Sequence, residues 1–210
     1  MSKKEKIHQE ILKCAELYDF VLKNKNYLIV YRSQGNSFSY IECSFLARHF
    51  QHLTGIEINT TTIKSSTQFY NLCISKKLKL SDFHLPQNGT YELKLDVLPK
   101  LIEMHRKPCM IGDYNQQRIQ LQTKKMVGNI TAVLGFAKEG NYYVPNTVLQ
   151  EDIRNITNHP PNKVIAIFSK HNKLVKYDLV LYISKNESLE AIISDEFIFN
   201  KISNTICQTD

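Results

Sequence analysis

The sequence predicts an α+β fold in a single domain, with residues 1–106 mainly helical around one β-hairpin and residues 107–210 forming a mostly antiparallel sheet. Three observations predict it. Apolar residues recur at helical spacing over 5–23, 67–77 and the stretch ending at Arg106. From residue 108 the pattern changes to short, strand-sized apolar runs separated by turn residues. No internal repeat, low-complexity tract or linker divides the 210 residues, a length that suits one core.

The first helix, over 5–23, puts Ile7, Ile11, Ala15, Tyr18 and Leu22 on one face. Two strands follow, Tyr27 to Tyr31 and Phe38 to Cys43, joined by the turn-rich Ser33-Gln34-Gly35-Asn36. A short helix after Ser44 carries Leu46, Phe50 and Leu53 as its apolar stripe, with Ser44 as its cap and Gly55 as its left-handed end. Thr67–Lys77 reads as a helix that buries Phe69, Leu72 and Cys73, with Ser66 as its cap. Another starts after Asp96, carries Pro99 in its first turn, and buries Leu98, Leu101 and Ile102. Strands are then predicted at 110–114, 119–122, 132–136 and 142–144, with Gly140-Asn141 turning between the last two. A short helix over Leu149–Ile156 interrupts them before strands near 163–168 and 178–184.

A net charge of +7 and a pI of about 9.1 permit attraction to polyphosphate, and a cleft can focus that attraction. Lysine-rich usage in an AT-rich genome produces the same surplus, and charge by itself does not choose between them. Five cysteines stand far apart with no C-x-x-C, which predicts reduced, mostly buried thiols and no structural zinc. The longest apolar runs are strand-sized and cannot span a bilayer, and the charged amino terminus leads into an amphipathic helix. These features point to a cytoplasmic protein without a membrane partner.

Candidate chemistry centres on Arg48 and His52, an i,i+4 pair whose side chains lie one above the other on a helix anchored by its opposite face. Arginine holds phosphate in a fixed fork, and its charge favours a neutral imidazole able to accept a proton. His49 sits nearer the apolar side and reads as structural. Lys124 and Lys125, ahead of Gly128-Asn129, offer charge and backbone amides to a phosphate, although a solvated edge and turn has the same pattern. Tyr143-Val144-Pro145-Asn146-Thr147 reads as a strand ending at Pro145, with Asn146 and Thr147 opening a helix either as caps or as anion ligands. Lys170, His171 and Lys173 read as a basic turn. No phosphate-binding glycine loop, kinase signature, metalloprotease helix or serine-nucleophile elbow is present in the sequence.

The order of these elements resembles a family of phage- and mobile-element-borne proteins assigned to the nuclease fold shared by barnase, EndoU, certain colicins and RelE. The resemblance runs through Phe50-Gln51-His52-Leu53-Thr54-Gly55, Val127-Gly128-Asn129, Leu134-Gly135-Phe136 and Tyr143-Val144-Pro145-Asn146-Thr147, and covers residues 10–185. It implies metal-independent cleavage of RNA, tRNA included, through attack by the ribose 2′-hydroxyl, with neither metal nor cofactor. It further implies His52 as the acid–base residue, Arg48 as a phosphate clamp, Tyr143 or Lys124 as the second proton-transfer group, and Thr147 at a post-proline catalytic position. Lys124, Lys125, Asn129, Asn146 and Lys170 would contact substrate. Asn146 departs from the small hydroxyl residue expected after the proline. An immunity or host defence protein is the implied protein partner. An inactive relative acting as an anti-defence binder and a particle-associated structural component are the rival readings.

Overall fold

Helix α1 (Lys3–Val21) starts from a reciprocal cap: the Ser2 hydroxyl accepts from the Glu5 N–H while the Glu5 carboxylate accepts from the Ser2 N–H. It buries Ile11, Ala15 and Tyr18 of the predicted face together with Cys14 and Val21, while Ile7 is only partly buried. The structure is a computed structural model and describes residues 1–33, 35–107, 109–116 and 122–206. The strand expected at 119–122 lies outside the described residues except for Gln122.

Strands β1 (Lys25–Arg32) and β2 (Phe38–Phe45) form an antiparallel hairpin in continuous register, Lys25 opposite Phe45 through Arg32 opposite Phe38. Ser44 belongs to this ladder, opposite Asn26, and therefore caps nothing. Instead, a 3-10 turn at Ala47–His49 leads into α2 (Phe50–Thr54), which Gly55 ends at φ +70°. Two-residue strands β3 (Glu57–Ile58) and β4 (Phe83–His84) pair around α3 (Ser66–Ile74).

Helix α4 (Thr90–Ile102) begins earlier than predicted, with Pro99 inside it rather than in its first turn. Tyr91, Leu95, Leu98 and Ile102 share one buried face. Each contributes roughly 1.5–3 kcal/mol by burial, which outweighs the roughly 3 kcal/mol an internal proline costs.

The remaining elements are β5 (Met110–Asp113), β6 (Lys125–Gly128), β7 (Val133–Glu139), β8 (Tyr142–Leu149), α5 (Ile153–Ile156), β9 (Asn162–His171), β10 (Leu179–Ile183), α6 (Leu189–Ile193) and α7 (Glu196–Phe199). The expected tight turn at Gly140-Asn141 joins β7 to β8. The helix expected from Asn146 does not form. Its residues continue β8, because Thr147 pairs with Gly135 and Val148 with Leu134, and a one-residue shift in register absorbs Asn146.

The sheet is mixed and closes on itself. In the order β1-β2-β8-β7-β6-β5-β9, the last strand returns to pair with β1, and β10 adds to the side of β9. Closure depends on two thin seams: a parallel contact of β2 with β8 at Cys43 and Tyr143, and a short antiparallel contact of β5 with β9. The amino-terminal hairpin is thus two staves of a seven-stranded barrel, which corrects the expectation of a helical half followed by a separate antiparallel sheet.

Alternation along the strands separates two faces. Tyr27, Ile29, Cys43, Ile111, Val127, Leu134 and Phe136 share one core with α1–α4. Leu28, Val30, Ile165 and Phe168 pack outward beneath α6 and α7, and Met126 and Val133 beneath α5. Helices α1 and α2 join β1 and β2 at one end of the barrel, where α4 also reaches the β6–β7 turn. Among the described residues, two hollows open into the opposite end. Among the described residues no helix is long and apolar enough to cross a membrane.

Candidate active site

The inner face turns polar at the open end. There β1 and β5 finish and β6, β8 and β9 begin, so Tyr31, Asp113, Lys125, Tyr143 and Asn162 converge from strands distant in sequence. The centre is Lys125. Its side chain is only 16% exposed, and its Nζ lies 2.8 Å from Asp113 Oδ1, the residue directly opposite it across the β5–β6 ladder. Burial alone would lower the pKa of this ammonium. The Asp113 hydrogen bond and the nearby Tyr31 and Tyr143 overcome that, leaving the pKa raised and Lys125 a fixed cation.

Two adjoining hollows flank this ion pair and share Asp113. The larger, about 470 Å³, is lined by Thr123, Lys124, Lys138, Tyr143 and Asn158. The smaller, about 310 Å³, is lined by Tyr31, Ser33, His159, Pro160 and Asn162. Lys138 sits over the Tyr143 ring, Nζ 4.4 Å from its centroid, and so supports the rim of the larger hollow. The loop carrying His159 is fixed from behind: Thr157 Oγ1 donates to the carbonyls of Ile153 and His159, and the Asn158 N–H donates to Asp113 O. Thr157 packs so closely on Gly112 that a Cβ there would come within 2.6 Å of its methyl group. His159 itself is exposed at the rim.

Of the residues singled out in the sequence, this end gathers Lys124, Lys125 and Tyr143. Asn146 and Thr147 lie behind it. Thr123 Oγ1 donates to Asn146 Oδ1 at 3.0 Å, and Thr147 is 3% exposed, packed on Gly135, which seals its hydroxyl from substrate. Asn129 is at the other end of β6, where its Oδ1 accepts from Thr131 N, Thr131 Oγ1 and Ala132 N, a turn-forming role.

Lys170 is not in a solvated turn. Strand β9 runs through His171 opposite Lys25, and Lys170 is 7% exposed, donating to Val175 O at 2.6 Å above the Tyr177 ring. That carbonyl and ring hold its ammonium on the wall beneath the carboxy-terminal helices.

Arg48 lies in the 3-10 turn and His52 in α2, so the single short helix expected to carry both is divided between them. Arg48 bonds Glu139 at 2.7 Å in a half-exposed surface ion pair. His52 is exposed, its carbonyl accepting from Lys94 Nζ. Neither lines either hollow. His49 is structural, as expected: it is 5% exposed, its Nδ1 accepts from the Leu46 N–H, and burial, with Arg48 and His52 nearby, pushes its pKa down to about 4.

Tyr31, Asp113, Lys138 and His159 are the residues that reading the sequence missed. One signal was available for Asp113, an opposite-charge partner placed to face Lys125 across a hairpin. Among the described residues no three His, Cys, Asp or Glu side chains cluster as a metal site. Cys14, Cys43, Cys73 and Cys109 are free and buried, and Cys207 lies outside the described residues.

Fold and cleft together define a small α+β barrel with a cationic, tyrosine-lined mouth. The chain belongs to the family described as phage-Barnase-EndoU-ColicinE5/D-RelE-like nuclease 4, whose profile matches residues 10–186. No curated protein and no solved structure matches it.

Proposed function

We propose that this chain is a phage-borne endoribonuclease that cuts RNA at the open end of the barrel by transphosphorylation. The supporting observation is the mostly buried Lys125 side chain, paired with the Asp113 that lines both tyrosine-bearing hollows, in a chain of a nuclease family.

The reaction needs a base, an acid and a cation near the phosphorus. His159 takes the proton from the ribose 2′-hydroxyl, since imidazole is the side chain suited to accept a proton near neutrality. The 2′-oxygen then bonds to phosphorus while the bond to the 5′-oxygen breaks. That leaving oxygen takes a proton from the Tyr143 hydroxyl. Lys125 holds the charge that builds on the non-bridging oxygens, with the exposed Lys124 and Lys138 drawing in the flanking phosphates. The Asp113 carboxylate is 64% exposed, so it can turn to solvent as a phosphate takes over Lys125. The products are a 2′,3′-cyclic phosphate and a free 5′-hydroxyl. DNA, lacking the nucleophile, is bound but not cut.

The test is incubation of the full chain with end-labelled tRNA and total RNA in EDTA, followed by end-group analysis. Cyclic phosphate termini support the reading. Binding without any product would instead favour an inactive, anti-defence relative, and cleavage only on addition of a divalent metal would replace the proposed chemistry.

A further inference from the structure

We infer that the open end is built as two base-binding subsites astride Lys125, so that its substrate is single-stranded RNA read one nucleotide on each side of the cut bond. This deepens the ribonuclease reading and rests on it for the identity of the polymer.

The two hollows carry matching chemistry. Each has a tyrosine and an asparagine: Tyr143 with Asn158 in the larger, Tyr31 with Asn162 in the smaller. A tyrosine ring offers a platform for a base, and an amide offers both a donor and an acceptor to the base edge. Lys138 covers one face of the Tyr143 ring, and the polar groups of the four residues are largely unengaged. Among the described residues neither tyrosine hydroxyl nor the Asn162 amide has a hydrogen-bond partner, and Asn158 Nδ2 makes one long contact to Tyr114 O at 3.5 Å. At about 470 and 310 Å³, both hollows reach the size of small-ligand sites, roughly 300 Å³ and above.

Asp113, which lines both hollows, and its partner Lys125, which lines the smaller, mark where the phosphate between the two bases would lie. His159 lines the smaller hollow and Tyr143 the larger. The nucleotide whose 2′-hydroxyl attacks therefore sits in the smaller hollow, and the departing nucleotide in the larger. A base seated in either hollow has left its stack, and a duplex resists that.

The experiment uses oligonucleotides with a single ribose in a deoxy backbone, the bases on either side of that ribose's 3′-phosphate varied in turn, presented single-stranded or annealed to a complement. Single strands should be cut about tenfold or more faster than duplexes. Asn162→Ala should relax preference for the base on the 5′ side of the cut bond only, and Asn158→Ala for the base on the 3′ side only. Equal cutting of duplex, or both variants acting on the same side, overturns the two-subsite arrangement while leaving the ribonuclease reading intact. All-deoxy oligonucleotides, which cannot react, read the subsites through binding alone. If wild-type protein cuts no RNA yet the two variants weaken binding in opposite base positions, the subsites stand and the catalytic reading falls. If binding ignores both substitutions, the subsites fall as well.

Discussion

At the end of the barrel where β2 hands over to α2, Tyr18, Phe45, Phe50, Phe69 and Tyr70 are fully buried and pack edge to face and stacked at centroid separations of 5.4–6.5 Å. Their hydroxyls are satisfied within the chain: Tyr18 donates to Leu46 O and Tyr70 to Asp19. At the open end, Tyr31 and Tyr143 are only half-buried, and their hydroxyls find no partner among the described residues. The same residue type thus does two jobs. Where helices cap the barrel, tyrosine fills volume and closes hydrogen bonds. Where the two hollows open, tyrosine lines a basic wall and, among the described residues, keeps its polar group available.

The sharpest way to break the closed end is to empty it. Phe50→Ala removes a ring in contact with Tyr18, Phe69 and Tyr70 and should cost about 3–5 kcal/mol of stability by urea unfolding. A loss below about 1 kcal/mol would mean that the aromatic cluster is not the seal described.

The closed end also carries a pH dependence. His49 is held neutral in the fold, with its pKa lowered to about 4 from 6.5 by burial and by the neighbouring Arg48 and His52. The unfolded imidazole takes up its proton first as pH falls. The stability from this group is therefore present above pH 6.5 and lost on the way down through pH 4, a change on the order of 3 kcal/mol. Chemical unfolding at a series of pH values should show that slope in the native chain and a flatter one in His49→Gln. Equal slopes would remove His49 from the account.

Substitutions at the open end should spare stability and change chemistry. His159→Ala is expected to lower RNA cleavage about 10²-fold with an unchanged melting temperature. A rate equal to that of the native chain would assign the base elsewhere. His52→Ala, on the exposed side of α2, should stay within about threefold of the parent rate. A larger loss would move the active centre back to the short helix.

Local patterns made much of the scaffold legible. The apolar spacing from Ile7 to Leu22 foretold α1, Gly55 marked the end of α2, and Gly140-Asn141 set the β7–β8 turn. Barrel closure was not legible, because the β2–β8 seam joins Cys43 to Tyr143 through one parallel contact with no local signal. The candidate site divides in the same way. Lys124, Lys125 and Tyr143 stood out in their own segments, whereas Tyr31 and His159 join them only because strand ends meet at one rim. Arg48 and His52 looked like a pair on helical periodicity, and the structure divides their segment into a 3-10 turn and α2, with neither residue lining a hollow.

The central claim is that Lys125 is the cation on which RNA cleavage depends. The most direct measurement compares native chain and Lys125→Met on labelled single-stranded RNA in EDTA, with circular dichroism and melting run in parallel. The account predicts cyclic phosphate products from the native chain and about a 10²-fold slower rate from the variant at an unchanged melting temperature. Equal rates from two equally folded proteins would contradict it.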